Sequence, residues 1–310
     1  MIKIKEIESF KDYGRVLSIS NEKVEVKVTL DLGPRVISYG YVGGKNFLCA
    51  ERKALGGVGD EEYSAFFGEG RKWESFGGHR IWITPECYPD TYTPDDKPVK
   101  YTLTDSGAIF TPPAEEKLGI QKELEVKLDS ESTDLQVEMR VTNLSDKPRE
   151  FAIWAITVCD KGGVLVVPMN TDDTGYLQNR EISLWAYTDM RDNRIYWGNK
   201  YTTVTQDENR PDPFKLGFNS KKGVAYYING NEILCKKFET DHFNKVYPDG
   251  GCSLETYTND IMLEFETLGE VKTVKANETS SYKENWSLIK TDFKADFTND
   301  DSIDELLSKI

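Results

Sequence analysis

The sequence predicts an all-β protein, a large antiparallel β super-sandwich with one short C-terminal helix. Three observations carry that expectation. Apolar and polar residues alternate with period two along much of the chain, clusters of Gly, Asn, Asp and Pro interrupt the alternation at short intervals, and no long helical-period segments separate the strands as a parallel α/β sheet would require. With 310 residues and no Pro/Ser-rich linker or repeat, the chain reads as one domain over residues 1–310, since sandwiches routinely grow large as single units.

Each element follows from its own residues. Val24, Val26, Val28 and Leu30 oppose Glu25, Lys27 and Thr29, so one face of this extended segment is apolar and the strand is half-buried. A strand over 34–42 ends at Gly43-Gly44, and one over 99–111 contains the turn-forming Asp105-Ser106-Gly107. Leu124, Val126 and Leu128, then Leu135, Val137, Met139 and Val141, flank the polar stretch Asp129 to Thr133 as a long hairpin. Further strands are expected at 150–159, 164–168, 201–205, 223–229, 232–239, 252–257, 261–268 and 285–290. Ser302 and Glu305 match a capping box, and Ile303, Leu306, Leu307 and Ile310 follow at helical spacing. A short helix capped by Ser302 should therefore dock on the sandwich surface.

The formal charge of −14 excludes the usual electrostatics of nucleic-acid and anionic-membrane binding, which need clustered Lys and Arg, and favours a neutral small molecule. The start, Met1-Ile2-Lys3-Ile4-Lys5-Glu6, lacks the apolar run of a signal peptide, and no later stretch reaches the ~20 apolar residues of a spanning helix. The expectation is a soluble, cytoplasmic protein. Five widely spaced cysteines without a Cys-x-x-Cys pair indicate neither a disulfide framework nor a zinc ribbon, so most read as small buried hydrophobes.

Two polar clusters stand out. Gly77-Gly78-His79-Arg80-Ile81-Trp82-Ile83-Thr84-Pro85-Glu86 sets a proton carrier, a cation, an aromatic plate and a carboxylate behind a glycine pair. Tyr247-Pro248-Asp249-Gly250-Gly251-Cys252-Ser253-Leu254-Glu255-Thr256-Tyr257 follows just after His242. Such groups together suit a sugar, whose hydroxyls need hydrogen bonds and whose ring faces stack on aromatic planes, and distant clusters can line one cleft.

These segments also carry a resemblance. Gly33-Pro34-Arg35-Val36-Ile37-Ser38, Gly78 to Trp82 with Pro85-Glu86, Trp154-Ala155-Ile156-Thr157, Tyr247 to Gly251 and Leu263-Glu264-Phe265-Glu266-Thr267-Leu268-Gly269, in that order, resemble the galactose mutarotase-like superfamily, in a branch related to aldose 1-epimerases. The similarity spans about residues 15 to 290. It implies a carbohydrate site on a concave sheet face and a cofactor-free reaction. In that reaction an acid protonates the ring oxygen, a base takes the anomeric proton, and the opened ring recloses as the other anomer. On this resemblance Glu255 is the candidate base and His79 the candidate acid or a hydroxyl-binding group, with Arg80 and Arg35 as sugar contacts. The family's mid-chain Asn-His-x-aromatic motif is missing from Asn143 through Asp160; without another acid the sugar would be bound but not interconverted.

Each candidate has a plainer reading. His79 can bond a carbonyl in a buried turn, Arg80 can be an ion-pair partner of Glu86, and Trp82, between Ile81 and Ile83, can be core rather than a stacking plate. Glu264 and Glu266 can face solvent or one can touch the sugar; His242 and Tyr257 can line the cleft; Asp249 after Pro248 can simply form a turn. The glycines at 56–59 and 68–70 lack the Lys-Ser/Thr of a phosphate loop and read as a mobile loop over the site. No ligand spacing supports a metal, although His242, Asp249 and Glu255 would be the candidates. Three classes remain: a cofactor-free aldose epimerase, a non-catalytic carbohydrate-binding protein, and a metal-assisted hydrolase or lyase.

Overall fold

Antiparallel pairing organises the computed structural model, which describes residues 1–310, into two ten-stranded sheets. The first runs Lys3–Ile7, Val16–Ser20, Val24–Thr29, Val36–Tyr41, Gly78–Ile83, Ile153–Cys159, Leu263–Leu268, Leu254–Thr258, Phe214–Phe218 and Ile182–Leu184. The second is centred on Glu232–Phe238, Thr279–Lys290, Leu135–Asn143 and Ile120–Leu128. Their facing sides bury Val24, Val26, Val28, Ile81, Ile83 and Phe265 against Leu124, Val126, Val137, Met139 and Trp286 in one cluster of 45 residues. Each such side chain contributes roughly 1.5–3 kcal/mol on leaving water, which is why the period-two pattern dictates the strand faces. This is the all-β sandwich the alternation predicts.

The expected hairpin closes with Leu128 opposite Leu135. The segment expected as one strand at 99–111 is two, Lys100–Leu103 and Gly107–Thr111, because the chain reverses where Thr104 N–H donates to the Gly107 carbonyl at 3.0 Å. Likewise 150–159 divides into Arg149–Phe151, paired with Lys272–Val274, and Ile153–Cys159 in the first sheet. The C-terminal helix, Asp300–Leu307, docks by Ile303 and Leu306 against Val166, Ile228 and Ile233 of the second sheet. Its cap is Asn299 rather than Ser302: the Asn299 side chain accepts from Asp301 N–H and Ser302 N–H, while Ser302 Oγ accepts from Asp296 N–H at 2.9 Å.

The glycine-rich stretch expected as a loop is folded. It forms helices Arg52–Leu55 and Glu61–Phe67 and a ribbon pairing Gly57–Val58 with Trp73–Glu74. A Cβ on Gly57 would lie 2.1 Å from the Trp73 carbonyl oxygen, so glycine is what lets the two chains approach. Tyr63, fully buried, donates to the Tyr92 carbonyl at 2.9 Å and pins the excursion to the sheet. All five cysteines are free and four are buried. No helix is long and apolar enough to cross a membrane.

Candidate functional site

Five neighbouring strands of the first sheet build the site, and alternation decides what each presents. Along Gly78–Ile83, His79, Ile81 and Ile83 point between the sheets while Arg80 and Trp82 point to the opposite, open face. Register then sets rows on that face. One row reads Arg80, Ile156, Glu266, Glu255 and Gly217; its neighbour places Val158, Glu264, Tyr257 and Lys215 side by side; Trp82 and Trp154 are paired beyond. The 52–76 excursion folds over this face, so Leu55, Val58, Trp73 and Ser75 close one wall of a cavity of about 300 Å³. The hollow at Lys245, Tyr247 and Glu270 holds only about 20 Å³ and is too small for a ligand.

The cavity is aromatic and charged together. Trp73, Trp82, Tyr92, Trp154, Tyr187 and Tyr257 line it beside Arg80, Lys215, Glu86 and Glu264. Trp82 meets Trp154 edge-on at 5.5 Å and Tyr92 at 4.9 Å. The Arg80 guanidinium lies over Trp82 at 4.7 Å and donates from Nη2 to Glu264 at 3.0 Å. Lys215 Nζ lies between Trp154 and Trp185, 4.6 Å from each ring centre. Beneath it are two fully buried carboxyls, Glu255 at 2.9 Å and Glu266 at 3.2 Å, cross-strand partners that do not themselves line the cavity. Trp154 Nε1–H donates to Glu266 at 2.7 Å.

One ammonium faces two carboxyls in a dry floor, and the protonation states follow. Burial pushes Glu255 well above the usual carboxylate range, with Lys215 opposing and Glu266 adding to the rise. Burial raises Glu266 to about 7, again opposed by Lys215. For Lys215 burial disfavours the charge, but the fields of Glu266 and Glu255 outweigh it and hold the ammonium protonated above the ordinary lysine value. Burial thus favours the protonated form of both carboxyls, while Lys215 stays charged.

The sequence candidates divide between this floor and other places. Arg80, Trp82, Tyr257, Glu264 and Glu86 line the cavity, with Glu86 exposed at the rim and accepting from Tyr92 O–H. Arg80 pairs with Glu264, not with Glu86. Glu255 lies directly under Lys215. His79 lies on the far side of the sheet, fully buried, its Nδ1 2.9 Å from Thr157 Oγ1 and its ring edge-on to Trp286 at 5.1 Å. Burial, then Lys236, Arg35 and Arg80, lowers its pKa far below the ordinary histidine value, so it is a neutral core residue beside the buried Lys236–Glu284 pair at 2.6 Å.

Three other candidates stand away from the cavity. His242 contacts Ser253 Oγ at 2.9 Å and stacks on Tyr247 at 4.4 Å. Asp249 adopts φ 51° in the Pro248–Gly251 turn, where its carbonyl accepts from Ser183 Oγ at 2.6 Å. Arg35 is buried against Asp95 at 2.5 Å, behind the Phe76 ring. No three His, Cys, Asp or Glu side chains are grouped so as to hold a metal ion.

Lys215, Trp73 and Tyr187 escaped the sequence reading, and Trp154 entered it only as part of a motif, not as a site residue. A signal existed for Lys215: Phe214, Leu216 and Phe218 alternate with Lys215 and Gly217. A signal for His79 existed too, since Ile81 and Ile83 share its parity and mark that side as core.

The fold has clear counterparts among solved structures. A galactose mutarotase-like protein from Lactobacillus casei superimposes with a TM-score of 0.58 at 13% identity, over 88% of this chain and 100% of the other. A Klebsiella pneumoniae protein described as a candidate aldose 1-epimerase gives 0.60 at 12% identity, over 100% of this chain and 87% of that one. The Slr1438 protein of Synechocystis gives 0.57 at 14% identity, over 89% and 96%. The sequence matches no protein-family model and no curated protein. The chain thus has the galactose mutarotase-like fold, shared at a sequence distance where only architecture is conveyed.

Proposed function

We propose that the protein binds a carbohydrate in the cleft over Arg80, Trp82, Trp154 and Lys215. The observation that carries this reading is the cavity itself: six aromatic side chains surround two cations and two carboxylates. Apolar sugar faces stack on such rings while hydroxyls take up the polar groups. Its size, about 300 Å³, is at the lower end of small-molecule pockets, roughly 300–1,000 Å³. Because Trp73, Trp82 and Trp154 line the cleft, titrating a panel of mono- and disaccharides, neutral and acidic, should shift tryptophan emission. Trp82→Ala should weaken that response at least tenfold. A panel that leaves emission and heat unchanged at millimolar sugar refutes the reading.

A second reading, interconversion of sugar anomers, is favoured by the buried pair Glu255 and Glu266. Carboxyls whose pKa burial raises can both give and take a proton, and the likeness to aldose 1-epimerase-like structures points the same way. In this reading Glu255 is the base and Lys215, which touches both carboxyls and the cavity, relays the proton; His79 has no part. Glu255→Gln should then lower the anomerisation rate of freshly dissolved sugars, followed by polarimetry, by on the order of 10²–10⁴-fold. A wild-type rate equal to buffer leaves binding alone.

A further inference from the structure

One wall of the cleft is short of hydrogen-bond acceptors. Trp73, Ser75 and Arg80 are 8%, 4% and 4% exposed. Trp73 Nε1, Ser75 Oγ and Arg80 Nε and Nη1 are all buried and without a partner, and all three residues line the same cavity. The Arg80 guanidinium lies 5.7 Å from the Trp73 ring, so these two donors sit together, and Ser75 lines the same cavity. Indole and guanidinium can only donate and cannot satisfy one another. Each buried donor left unmet costs about 1–3 kcal/mol, so together they form a strong demand for an acceptor.

We infer that the cleft selects acidic carbohydrates, sugars bearing a carboxylate, and that Trp73, Ser75 and Arg80 form the subsite for that carboxylate. This rests on the carbohydrate reading above and narrows it. A carboxylate offers about four lone-pair positions and no proton, which suits a wall of donors. A hydroxyl would bring a proton of its own, and the cavity carboxylate Glu264 is already engaged by Arg80 Nη2. The second cation of the cavity, Lys215, is already held by the two carboxyls Glu255 and Glu266, whereas Arg80 Nε and Nη1 have no partner. The carboxylate is thereby assigned to the Arg80 end. The net charge of −14 does not draw anions in general, so any preference must come from these local donors.

The test compares sugars matched except at C6. Calorimetric titration of the intact protein with D-glucuronate and D-glucose, and with D-galacturonate and D-galactose, should show the uronate of a pair binding about tenfold more tightly, the contribution of a hydrogen bond to a charged acceptor. Ser75→Ala, which removes one donor at little risk to folding, should erode that preference about fivefold. Trp73→Phe, which keeps a ring but removes the N–H, should do the same. Equal binding within a pair, or equal losses for both sugars in the variants, overturns the inference while leaving carbohydrate binding intact. Failure of every sugar, neutral or acidic, overturns the carbohydrate reading and this one with it.

Discussion

Lys215→Met should turn the floor of the cleft into a pH-dependent weak point. The methionine matches the length of the lysine stem but leaves Glu255 and Glu266, cross-strand neighbours with no exposure, without the ammonium that lies 2.9 and 3.2 Å from them. Removing one partner of a buried ion pair costs roughly 3–5 kcal/mol, and the lost contacts to Trp154 and Trp185 add roughly 1 kcal/mol. Protonation limits the loss. In the wild type Glu266 already titrates about 7 rather than at 4.5, so the unfolded chain gives up its proton first and folding stability falls as pH rises between those values. Without Lys215, which lowers both carboxyl values, the fall steepens and extends upward, by about 1.4 kcal/mol per pH unit and titrating group. The variant should therefore be less stable than wild type by about 4 kcal/mol at pH 8 and by about 1 kcal/mol at pH 5, read from urea unfolding followed by tryptophan emission. A second change, Glu266→Gln, should return most of the deficit at pH 8. A loss of the same size at both pH values would refute the account of a floor whose carboxyls take up protons when Lys215 is gone.

Two further outcomes test the placement of other residues. His79→Leu should leave carbohydrate affinity unchanged. Because burial holds His79 far below 6.5, the unfolded wild-type chain takes a proton that the folded one refuses, and stability drops as pH falls below 6.5; the variant should lack that part of the acid limb in urea unfolding. Asn299→Ala should lower the urea midpoint by an amount equivalent to about 1 kcal/mol, the usual worth of an N-cap, and no change would mean that Asn299 does not cap the helix.

Much of the architecture was readable because burial and alternation are coupled in a sandwich. Val24 to Leu30, Leu124 to Leu128 and Leu135 to Val141 each place one parity in the core, as the sequence alone implies. Two of the strands that the pattern missed have identifiable reasons. Lys3–Ile7 is an edge strand with mostly exposed side chains, so it has little apolar face to detect. Phe214–Phe218 is buried along its whole length, so it shows no polar, exposed face, and its five residues are too few to mark a strand among the loops around them. Ser302 satisfied a capping pattern, yet Asn299 reached the free N–H groups first.

For the cleft, the chain by itself determined that residues 79 and 80 face opposite ways, that Glu255 and Tyr257 share a side, and that Ile81 and Ile83 accompany His79. It hinted through Ile81 and Ile83 that the His79 side is core, but it could not show what covers that side. That cover is the second sheet, whose Lys236 and Glu284 meet the buried side of the first and complete a polar contact for His79 through Thr157. Nor could local pattern bring Lys215 over Glu255 and Glu266 or Trp154 onto Glu266, because residues 40 to 112 positions apart became neighbours only through strand order and register. Alternation is a property of a few bonded residues, whereas an ion pair in a dry floor depends on desolvation that exists only once both sheets and the 52–76 cover are in place.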